Sequence, residues 1–375
     1  MPLSKIKVLE LGRVFSGPLC GMMLADLGAQ VIKVEAPGIG DESRSFGAHR
    51  TDGNSCYFNS LNRGKQSIEL NLKDKKDRAL FIELILKADV LVHNWIQASL
   101  DKLGFSYSDV KAINPRLIYC SISGYGHGTS CSDKPSQDII AQAISGFMSL
   151  TGEREGVPLK TGIPVVDYVT GQYAAFAIMS ALFMRQSTGE GRFVTASLLG
   201  SAVAMTSFSS SAYLSTGVET TRTGNRHPSI CPYNLYKTLD GKIVLAVAND
   251  KMWQRLCKTL DLNHLARDEK YHSNAARLKH QNELEAILSK QISKLSTQKA
   301  LDAFKTAKIS CAPVNSLKEA FSCLEVDELD MLLKWNSSTK VAGSPFYIEG
   351  LSTKTTAPPQ LGQDNESIRR IRNWP

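Results

Sequence analysis

The sequence lacks a membrane-spanning segment, a low-complexity tract and a repeat of fixed period. Its longest uncharged apolar run, YAAFAIMSALFM at residues 173–184, is far shorter than the roughly 20 residues of a spanning helix. The first residues, MPLSKIKVLELG, enter a strand pattern without the features of a secretory signal. These absences exclude fibrous, solenoid and transmembrane classes. We expect a cytoplasmic protein that does not act on membranes.

Paired cysteines and metal-ligand motifs are also missing. The eight cysteines are scattered, with no C-x-x-C pair and no metal-ligand spacing to the seven histidines. This pattern predicts free thiols in a reducing compartment and no metal site.

The composition is that of a globular protein. The chain has 375 residues, of which 42% are hydrophobic and 21% charged, and this length favours two domains. The net charge is +8, but basic and acidic residues alternate and no basic stripe with aromatics is present, so nucleic acid is not an expected partner. The charge indicates either a mixed solvated surface or a positive field that attracts small polyanions such as phosphorylated cofactors and carboxylates.

The N-terminal half alternates strand and helix patterns. KVLEL and AQVIKVE are strand-like, and SGPLCGMMLADLG between them is helical and ends at Gly28. Two strands joined by a helix within about 30 residues form a parallel crossover unit. DVLVHNW and RLIYCSISGYG repeat the strand pattern after helical segments. The sequence therefore predicts a doubly wound α/β domain.

The second half predicts further helices and a smaller domain. Helices are expected over residues 137–152 and 168–186, and RFVTASLLGSAVAMTSF reads as a strand followed by a helix. The polar segment 216–226 resembles a linker. Beyond it, YNLYKTLDGKIVLAVAN predicts two strands around an Asp-Gly turn. Two or three amphipathic helices to about residue 308, short strands in AGSPFYIEG and a basic terminal helix complete the expected order.

One alternative is a dinucleotide-binding crossover with Glu35 on the ribose. The glycines, however, stand at Gly12, Gly17 and Gly21, a G-x4-G-x3-G spacing that differs from G-x-G-x-x-G. An ordinary turn is the simpler interpretation of this segment. The lone histidine His227 is likewise read as a loop residue.

Asp167 is the single acid in the uncharged stretch GIPVVDYVTGQYAAFAIMSAL. One interpretation is a helix N-cap, whose side chain accepts unpaired backbone N–H groups. The other is a nucleophile that the same donors would hold ionised and oriented. The pattern alone leaves both open.

Several ordered blocks carry a resemblance to a known family. They include VLELGRVFSGPLCGMMLADLGAQVIKVEAPGIGDESRSFG, YFNSLNRGKQSIELNLK, NPRLIYCSISGYG, QDIIAQAISGFMSLTG, VVDYVTGQYAA and STGEGRFVTASLL. On these blocks, over nearly its full length, the chain resembles the class III coenzyme A (CoA) transferases, also called CaiB/BaiF. TRTGNRHPSICPYNLYKTLDGKIVLAVAND is similar to the members that move CoA from succinyl-CoA to glutarate or a related dicarboxylate.

The resemblance implies an α/β fold with a Rossmann-like large domain, a smaller α+β domain, and two subunits interlocked as a homodimer. The expected division is a large domain over 1–215, a small domain with its linkers over 216–318, and a C-terminal segment over 319–375 that returns to the large domain.

The resemblance also implies covalent catalysis by Asp167. Its carboxylate would form an anhydride with the acyl group and then an aspartyl-CoA thioester. Gln137 stands where the related 2-methylacyl-CoA racemases have a histidine base. Because an amide cannot remove an α-proton, this residue favours transfer over the racemase alternative. A third possibility is an idle CoA-binding paralogue, which the intact Asp167 opposes.

The resemblance also implies a CoA-binding site at specific residues, with CoA bound as part of the acyl-CoA substrate. The expected thioester end is Val14, Phe15 and Ser16, where Phe15 replaces a glutamine of oxalate-directed members. The expected adenine, ribose and phosphate positions are Leu70, Leu72, Lys73, Asn94, Trp95, Lys102 and Arg44. Ala36 stands where other members use an arginine on the adenine, and Lys102 where others have an arginine on phosphate.

Two further features concern the small domain. NDKMW replaces the glycine-rich loop of oxalate-directed members, so Asn249 and its neighbours are candidates to shield the anhydride. Arg222, Arg226 and His227 are candidates for the distal carboxylate of a dicarboxylic acceptor.

Overall fold

The computed structural model describes residues 1–47, 50–51, 53–351 and 355–374. Two compact units emerge from it. The first unit contains residues 1–148, 160–218 and 324–375, and the second contains residues 149–159 and 219–323.

The first unit alternates strands and helices. Its strands up to residue 216 are β1 (Lys7–Glu10), β2 (Gln30–Glu35), β3 (Arg50–Thr51), β4 (Asn54–Ser55), β5 (Lys65–Glu69), β6 (Val90–His93), β7 (Ile118–Ser123) and β8 (Phe193–Ser197). Its helices over the same range are α1 (Ser16–Asp26), α2 (Cys56–Asn59), α3 (Lys75–Lys87), α4 (Gln97–Lys102), α5 (Tyr107–Ile113), α6 (Asp138–Ile144), α7 (Val165–Thr188), α8 (Leu198–Met205) and α9 (Ser207–Thr216).

Six of these strands form one parallel sheet, within the described residues, in the order β5-β2-β1-β6-β7-β8. The predicted α/β fold is therefore confirmed. The chain starts at β1 in the middle, builds outward through β2 and β5, and then returns to the other side of β1 with β6. The order reverses between β1 and β6, and ligands of such sheets bind outside the carboxyl ends of the strands at this point.

Helix α7 packs against α1 through a glycine. A side chain at Gly171 would place its Cβ 2.8 Å from the carbonyl oxygen of Ser16 and 3.0 Å from Leu19. The two helices can therefore approach closely only because this position has no Cβ. The contact brings the start of α1 beside the first turns of α7.

The second unit contains an antiparallel sheet and several helices. Its elements are β9 (Tyr233–Lys237), β10 (Lys242–Ala246), α10 (Asp250–Thr259), α11 (Asn263–Arg267), α12 (Asn274–Lys279), α13 (Gln281–Ile292), α14 (Thr297–Thr306), β11 (Ser310–Pro313) and α15 (Leu317–Ala320). Strand β10 pairs with β9 and β11, which confirms the strand pair around Asp240 and Gly241.

The C-terminal segment adds α16 (Leu324–Glu328), β12 (Leu332–Lys334), β13 (Lys340–Ala342) and α17 (Asn365–Ile371). Helix α17 confirms the basic terminal helix. The strands predicted in AGSPFYIEG are wrong, because only the first residue of that segment, Ala342, lies in a strand.

Two other predicted helix patterns need correction. The region before residue 308 forms five short helices in the described second unit instead of two or three, since turns interrupt its amphipathic pattern. The helix expected over 137–152 is only α6, followed by a separate 3-10 turn at Phe147–Leu150, because Gly146 takes a positive φ of 82° between them.

None of the helices in the part of the chain that the structure describes combines the length and the hydropathy of a membrane span.

The contact at Gly171 generates a stability prediction. Gly171→Ala should lower the free energy of unfolding by about 1–3 kcal/mol, because the added methyl group meets a backbone oxygen that cannot rotate away. Urea denaturation measures the change. Gly162→Ala is the control, since a Cβ there meets nothing within 4 Å. An increase in stability of the kind that alanine gives in an open helix would contradict the close contact.

Candidate functional site

Two cavities of the first unit open around the reversal point between β1 and β6. The larger has a volume of about 920 Å³ and the smaller about 340 Å³. Arg13 and Trp95 line both, and the Arg13 guanidinium lies 4.3 Å from the centre of the Trp95 ring. The cavities are therefore neighbours that share one wall.

The predicted site residues divide between these cavities. Val14, Phe15, Ser16, Asn94, Trp95, Gln137 and Asp167 line the larger cavity. Leu70, Leu72, Lys73 and Trp95 line the smaller one, beside Ala36. Lys102 is exposed at the end of α4 and lines neither cavity.

The loop after β1 is fastened to the loop after β6. The Arg13 backbone N–H donates to Asn94 Oδ1 at 2.8 Å, and Asn94 Nδ2 donates back to the Arg13 carbonyl oxygen at 2.8 Å. One amide side chain thus satisfies both backbone groups of Arg13. It fixes the course of the chain just before Val14.

Asp167 lies in the first turn of α7, and its carboxylate faces the start of α1. The Ser16 hydroxyl donates to Asp167 Oδ1 at 2.8 Å. Burial raises the pKa of Asp167 to about 6, with the Ser16 hydrogen bond opposing this and the charge of Asp138 adding to it. The carboxyl group is therefore less acidic than an exposed aspartate.

The N-cap interpretation of Asp167 is wrong. Asp167 is the third residue of α7, and it is Asp138 of α6 whose Oδ1 accepts the backbone N–H groups of Val166 (2.8 Å) and Asp167 (3.2 Å). A neighbouring helix supplies the cap because Pro164, which precedes α7, makes no side-chain hydrogen bond. The backbone donors expected to hold Asp167 ionised are thus used by another carboxylate.

Gln137 stands immediately before α6 and is exposed at the larger cavity, without a capping hydrogen bond from its side chain. Gln137 and Asp167 therefore line the same cavity.

Tyr57 is a site residue that sequence reasoning missed. It lines the larger cavity, and its ring contacts Phe15 edge-on with the ring centres 6.0 Å apart. Burial, with the charges of Asp167, Asp41 and Asp138 adding to it, raises the pKa of Tyr57 to about 12. No spacing pattern distinguishes this tyrosine, because α2 is a single turn and is distant in sequence from Asp167.

Arg44 is buried and already paired, which argues against the phosphate contact predicted for it. Its guanidinium binds Glu35 through Nε (2.8 Å) and Nη2 (2.6 Å), and its Nη1 donates to Asn54 Oδ1 (2.8 Å) and to the Pro359 carbonyl oxygen (3.2 Å).

The same pairing rules out the ribose alternative for Glu35. Beside Arg44, its Oε1 accepts from the Ser67 hydroxyl at 2.7 Å and its Oε2 from the Asp41 N–H at 2.9 Å. Gly12 and Gly17 of this crossover allow close backbone packing, since a Cβ on Gly12 would lie 2.8 Å from the Cα of Gly17.

The larger cavity also has basic side chains that were not expected. They are Arg13, His127, Lys134 and Lys160. Arg13 follows β1 directly at the reversal point, and that position is the one signal by which it could have been found.

The candidates of the second unit contact other residues of that unit. Arg222 donates to the Gly156 carbonyl oxygen at 2.8 Å, and Arg226 pairs with Glu285 at 2.6 Å. His227 Nδ1 accepts the Ser229 N–H at 3.1 Å. Asn249 caps α10 by accepting the Met252 N–H at 2.9 Å.

In the described parts of the chain, no group of three or more His, Cys, Asp or Glu side chains could hold a metal ion.

Comparisons with known proteins agree on one family. The family model described as CoA-transferase family III matches residues 3–365. The chain is 39% identical to the succinyl-CoA:glutarate CoA-transferase of Mus musculus, a match over 98% of this chain and 85% of that protein. It is 38% identical to the succinate–glutarate CoA-transferase of Agrobacterium fabrum, over 98% of this chain and 94% of that protein.

Solved structures give the same result for the fold. A CaiB/BaiF family protein from Brucella suis superposes with a TM-score of 0.91 at 33% identity, covering 99% of each chain. Rv3272 from Mycobacterium tuberculosis superposes with a TM-score of 0.86 at 26% identity, covering 97% of this chain and 98% of the other.

The raised pKa of Asp167 generates a prediction about stability. Because the ionised form is disfavoured in the folded state, Asp167 lowers stability as the pH rises from about 4 through 6. Asp167→Asn should therefore raise the free energy of unfolding at pH 7 by about 1–3 kcal/mol. Below pH 4, where the native carboxyl group is protonated, this gain should vanish.

Chemical denaturation at the two pH values measures this difference. Asp133→Asn is the control, since Asp133 is exposed and its replacement should not change stability in a pH-dependent way. Equal effects of Asp167→Asn at both pH values would contradict the raised pKa.

Proposed function

The chain belongs to CoA-transferase family III and is an enzyme that transfers CoA, and we propose that it moves CoA from succinyl-CoA to a dicarboxylic acid such as glutarate. The names of the relatives at 38–39% identity support this choice of donor and acceptor. The observation that carries the chemistry is the Asp167 carboxylate, half-buried at the larger cavity and bonded on one oxygen by Ser16.

In the proposed mechanism Asp167 attacks the thioester carbonyl of succinyl-CoA. The thioester bond breaks, which gives a mixed anhydride on Asp167 and the CoA thiolate. The thiolate then attacks the aspartyl carbonyl, which releases succinate and leaves Asp167 as a CoA thioester. The carboxylate of the acceptor attacks that thioester to form a second anhydride and thiolate. Attack of the thiolate on the acceptor acyl group gives the new acyl-CoA and restores Asp167.

The geometry of Asp167 suits this role. Oδ1 holds the Ser16 hydrogen bond, and Oδ2 has no hydrogen-bond partner among the described residues. With a pKa of about 6, the carboxylate is ionised at neutral pH and more basic than an ordinary aspartate. Oδ2 is therefore the oxygen that we assign to the attack.

The start of α1 supports the tetrahedral intermediates. The Ser16 backbone N–H belongs to the first turn and has no hydrogen-bond partner in the described parts of the chain, while Ser16 lines the larger cavity. A free N–H at a helix N-terminus stabilises a developing oxyanion. We assign this donor to the oxygen of the attacked carbonyl.

The two joined cavities accommodate an extended substrate. We place the adenine and ribose of CoA in the smaller cavity, between Leu70, Leu72 and Lys73, and the thioester in the larger one beside Val14 and Phe15. Arg13 at the shared wall then lies where the phosphates pass. Lys102 and Arg44 remain further phosphate candidates of the proposal, although Arg44 would first have to release Glu35.

The racemase alternative receives no support from the site. Gln137, at the position of the expected base, carries an amide that cannot accept an α-proton at neutral pH. We assign Gln137 to hydrogen bonding with the acyl group.

A homodimer with interlocked subunits belongs to the proposal, as does the division into a large domain over 1–215, a small domain with its linkers over 216–318, and a C-terminal segment over 319–375 that returns to the large domain. The exposed face of α7 supports a second copy of the chain. Tyr173, Phe176, Phe183 and Met184 on this helix are 47–75% exposed, and such a contiguous apolar face is typical of an interface. A cytoplasmic location also remains part of the proposal.

The proposed chemistry predicts that Asp167→Asn abolishes CoA exchange. Wild-type enzyme should transfer CoA from succinyl-CoA to glutarate, and hydroxylamine should convert Asp167 to its hydroxamate, because the side-chain carbonyl is activated as an anhydride or a CoA thioester during turnover. Radiolabelled exchange and mass spectrometry of the peptide with residue 167 measure both effects. Asp133→Asn should behave as wild type. Exchange that persists in Asp167→Asn would refute the assignment.

The dimer generates a separate prediction. Light scattering should give twice the chain mass of 41.1 kDa, and Phe183→Glu should weaken the dimer because it places a charge on the apolar face of α7. Leu86→Glu on α3 is the control, since Leu86 is also exposed but lies outside that face. A monomeric wild-type protein at micromolar concentration would contradict this part of the proposal.

A further inference from the structure

A buried charged cluster that the proposed mechanism does not use lies beneath the loop after β1. Lys33 of β2 is completely buried. Its ammonium pairs with Glu10 and with Asp41, each at 2.9 Å, and donates to the Gly12 carbonyl oxygen at 2.7 Å. A buried ion pair of this kind is stable only when its geometry is well satisfied.

The Asp41 carboxylate connects this cluster to the loop. It accepts the Val14 backbone N–H at 3.1 Å, and its Oδ1 also accepts from the Ser43 N–H (2.9 Å) and hydroxyl (2.8 Å). Although burial alone would raise its pKa, the Lys33 charge and these hydrogen bonds lower the pKa of Asp41 to about 2. The carboxylate therefore stays ionised and fixed.

Val14 has an unfavourable backbone conformation. Its φ is 65°, in the left-handed region that β-branched residues avoid. Three consecutive residues of the loop are held by side chains from elsewhere in the fold: Lys33 binds Gly12, Asn94 binds Arg13, and Asp41 binds Val14. The strained turn persists because its surroundings over-determine it.

Ser16 follows Val14 by two residues and directs its hydroxyl to Asp167. We propose that Asp41 is a positioning residue of the transferase, which holds Val14 in the left-handed conformation and thereby aims the Ser16 hydroxyl at the Asp167 carboxylate. This inference rests on the proposed function, in which Asp167 is the nucleophile.

The charges around both carboxylates distinguish positioning from a direct electrostatic effect. Asp138 and Tyr57 face Asp167, and Lys33, Glu35, Glu10 and Lys65 surround Asp41 and its ion pair. Removal of the negative charge of Asp41 through space would lower the pKa of Asp167. Loss of the Ser16 hydrogen bond, which stabilises the ionised form, would raise it. A through-space effect of Asp41 and a positioning effect therefore predict shifts of opposite sign in the pKa of Asp167.

The test is the acid limb of the pH profile of kcat/KM for succinyl-CoA and glutarate. Asp41→Ala and Asp41→Asn should move this limb to higher pH, by about one pH unit in the alanine variant, the value of one charge-assisted hydrogen bond. At pH 6, where the ionised fraction of Asp167 should fall from about a half to about a tenth, kcat/KM should fall about fivefold.

Double variants make the test specific. In a Val14→Gly background, Asp41→Ala should move the limb less, because glycine adopts a positive φ without a restraint. In a Ser16→Ala background, Asp41→Ala should cause no further rise, since the hydrogen bond that it controls is already lost. Asp26→Asn is the matched control: it breaks a buried pair with Arg63 at 2.6 Å in the same unit, and should lower stability without moving the limb.

The pKa of Asp167 can also be read without turnover, from the pH dependence of the stability difference between each variant and its Asp167→Asn counterpart. A limb that stays or moves to lower pH in Asp41→Ala, or shifts equally in all three backgrounds, would overturn the positioning role. Transfer that survives in Asp167→Asn would instead refute the proposed function itself, so the two failures are distinguishable.

Discussion

The arrangement of the site depends on the ion pairs of the buried Lys33 ammonium with Glu10 and Asp41. The ammonium is buried under the loop after β1, where it holds two carboxylates and the Gly12 carbonyl oxygen at once. A lone buried cation would be strongly unfavourable, so Glu10 and Asp41 must remain in place. These buried groups thereby fix the loop after β1, which leads to Ser16 and its contact with Asp167. The position of the loop residues at the larger cavity thus depends on side chains that are buried away from that cavity.

The ionised form of Asp167 is destabilised by its surroundings in the folded protein. The carboxylate is placed between helices, near a second acid, with one hydroxyl donor instead of the several backbone donors that an N-cap would offer. Asp138 takes those donors. The result is a carboxylate that is less stable when ionised and therefore more basic. Active sites commonly give up folding stability for reactivity in this way.

Much of the fold was predictable because its signals are local. The apolar runs of β1, β2, β6 and β7 are typical of strands buried on both faces, and Asp167 was identified within an uncharged stretch. The cap supplied by Asp138 and the place of Tyr57 depend on contacts between segments far apart in the sequence, which no periodicity encodes. The contact of Arg44 with the Pro359 carbonyl oxygen is of the same kind, since the two residues are 315 positions apart in the sequence.

The C-terminal segment covers the edge of the sheet beside the smaller cavity. Strand β5 is an edge strand, and an open edge would leave its backbone N–H groups unpaired. Asp364 accepts the Ser67 N–H and Asn365 accepts the Glu69 N–H, each at 2.8 Å, while Arg369 donates to the Glu69 carbonyl oxygen at 2.8 Å. The chain at the start of α17 thus takes the place of a further strand. Because residues 70–73 follow β5 directly and line the smaller cavity, the return of the chain to the first unit fixes the wall that we assign to the nucleotide end of CoA.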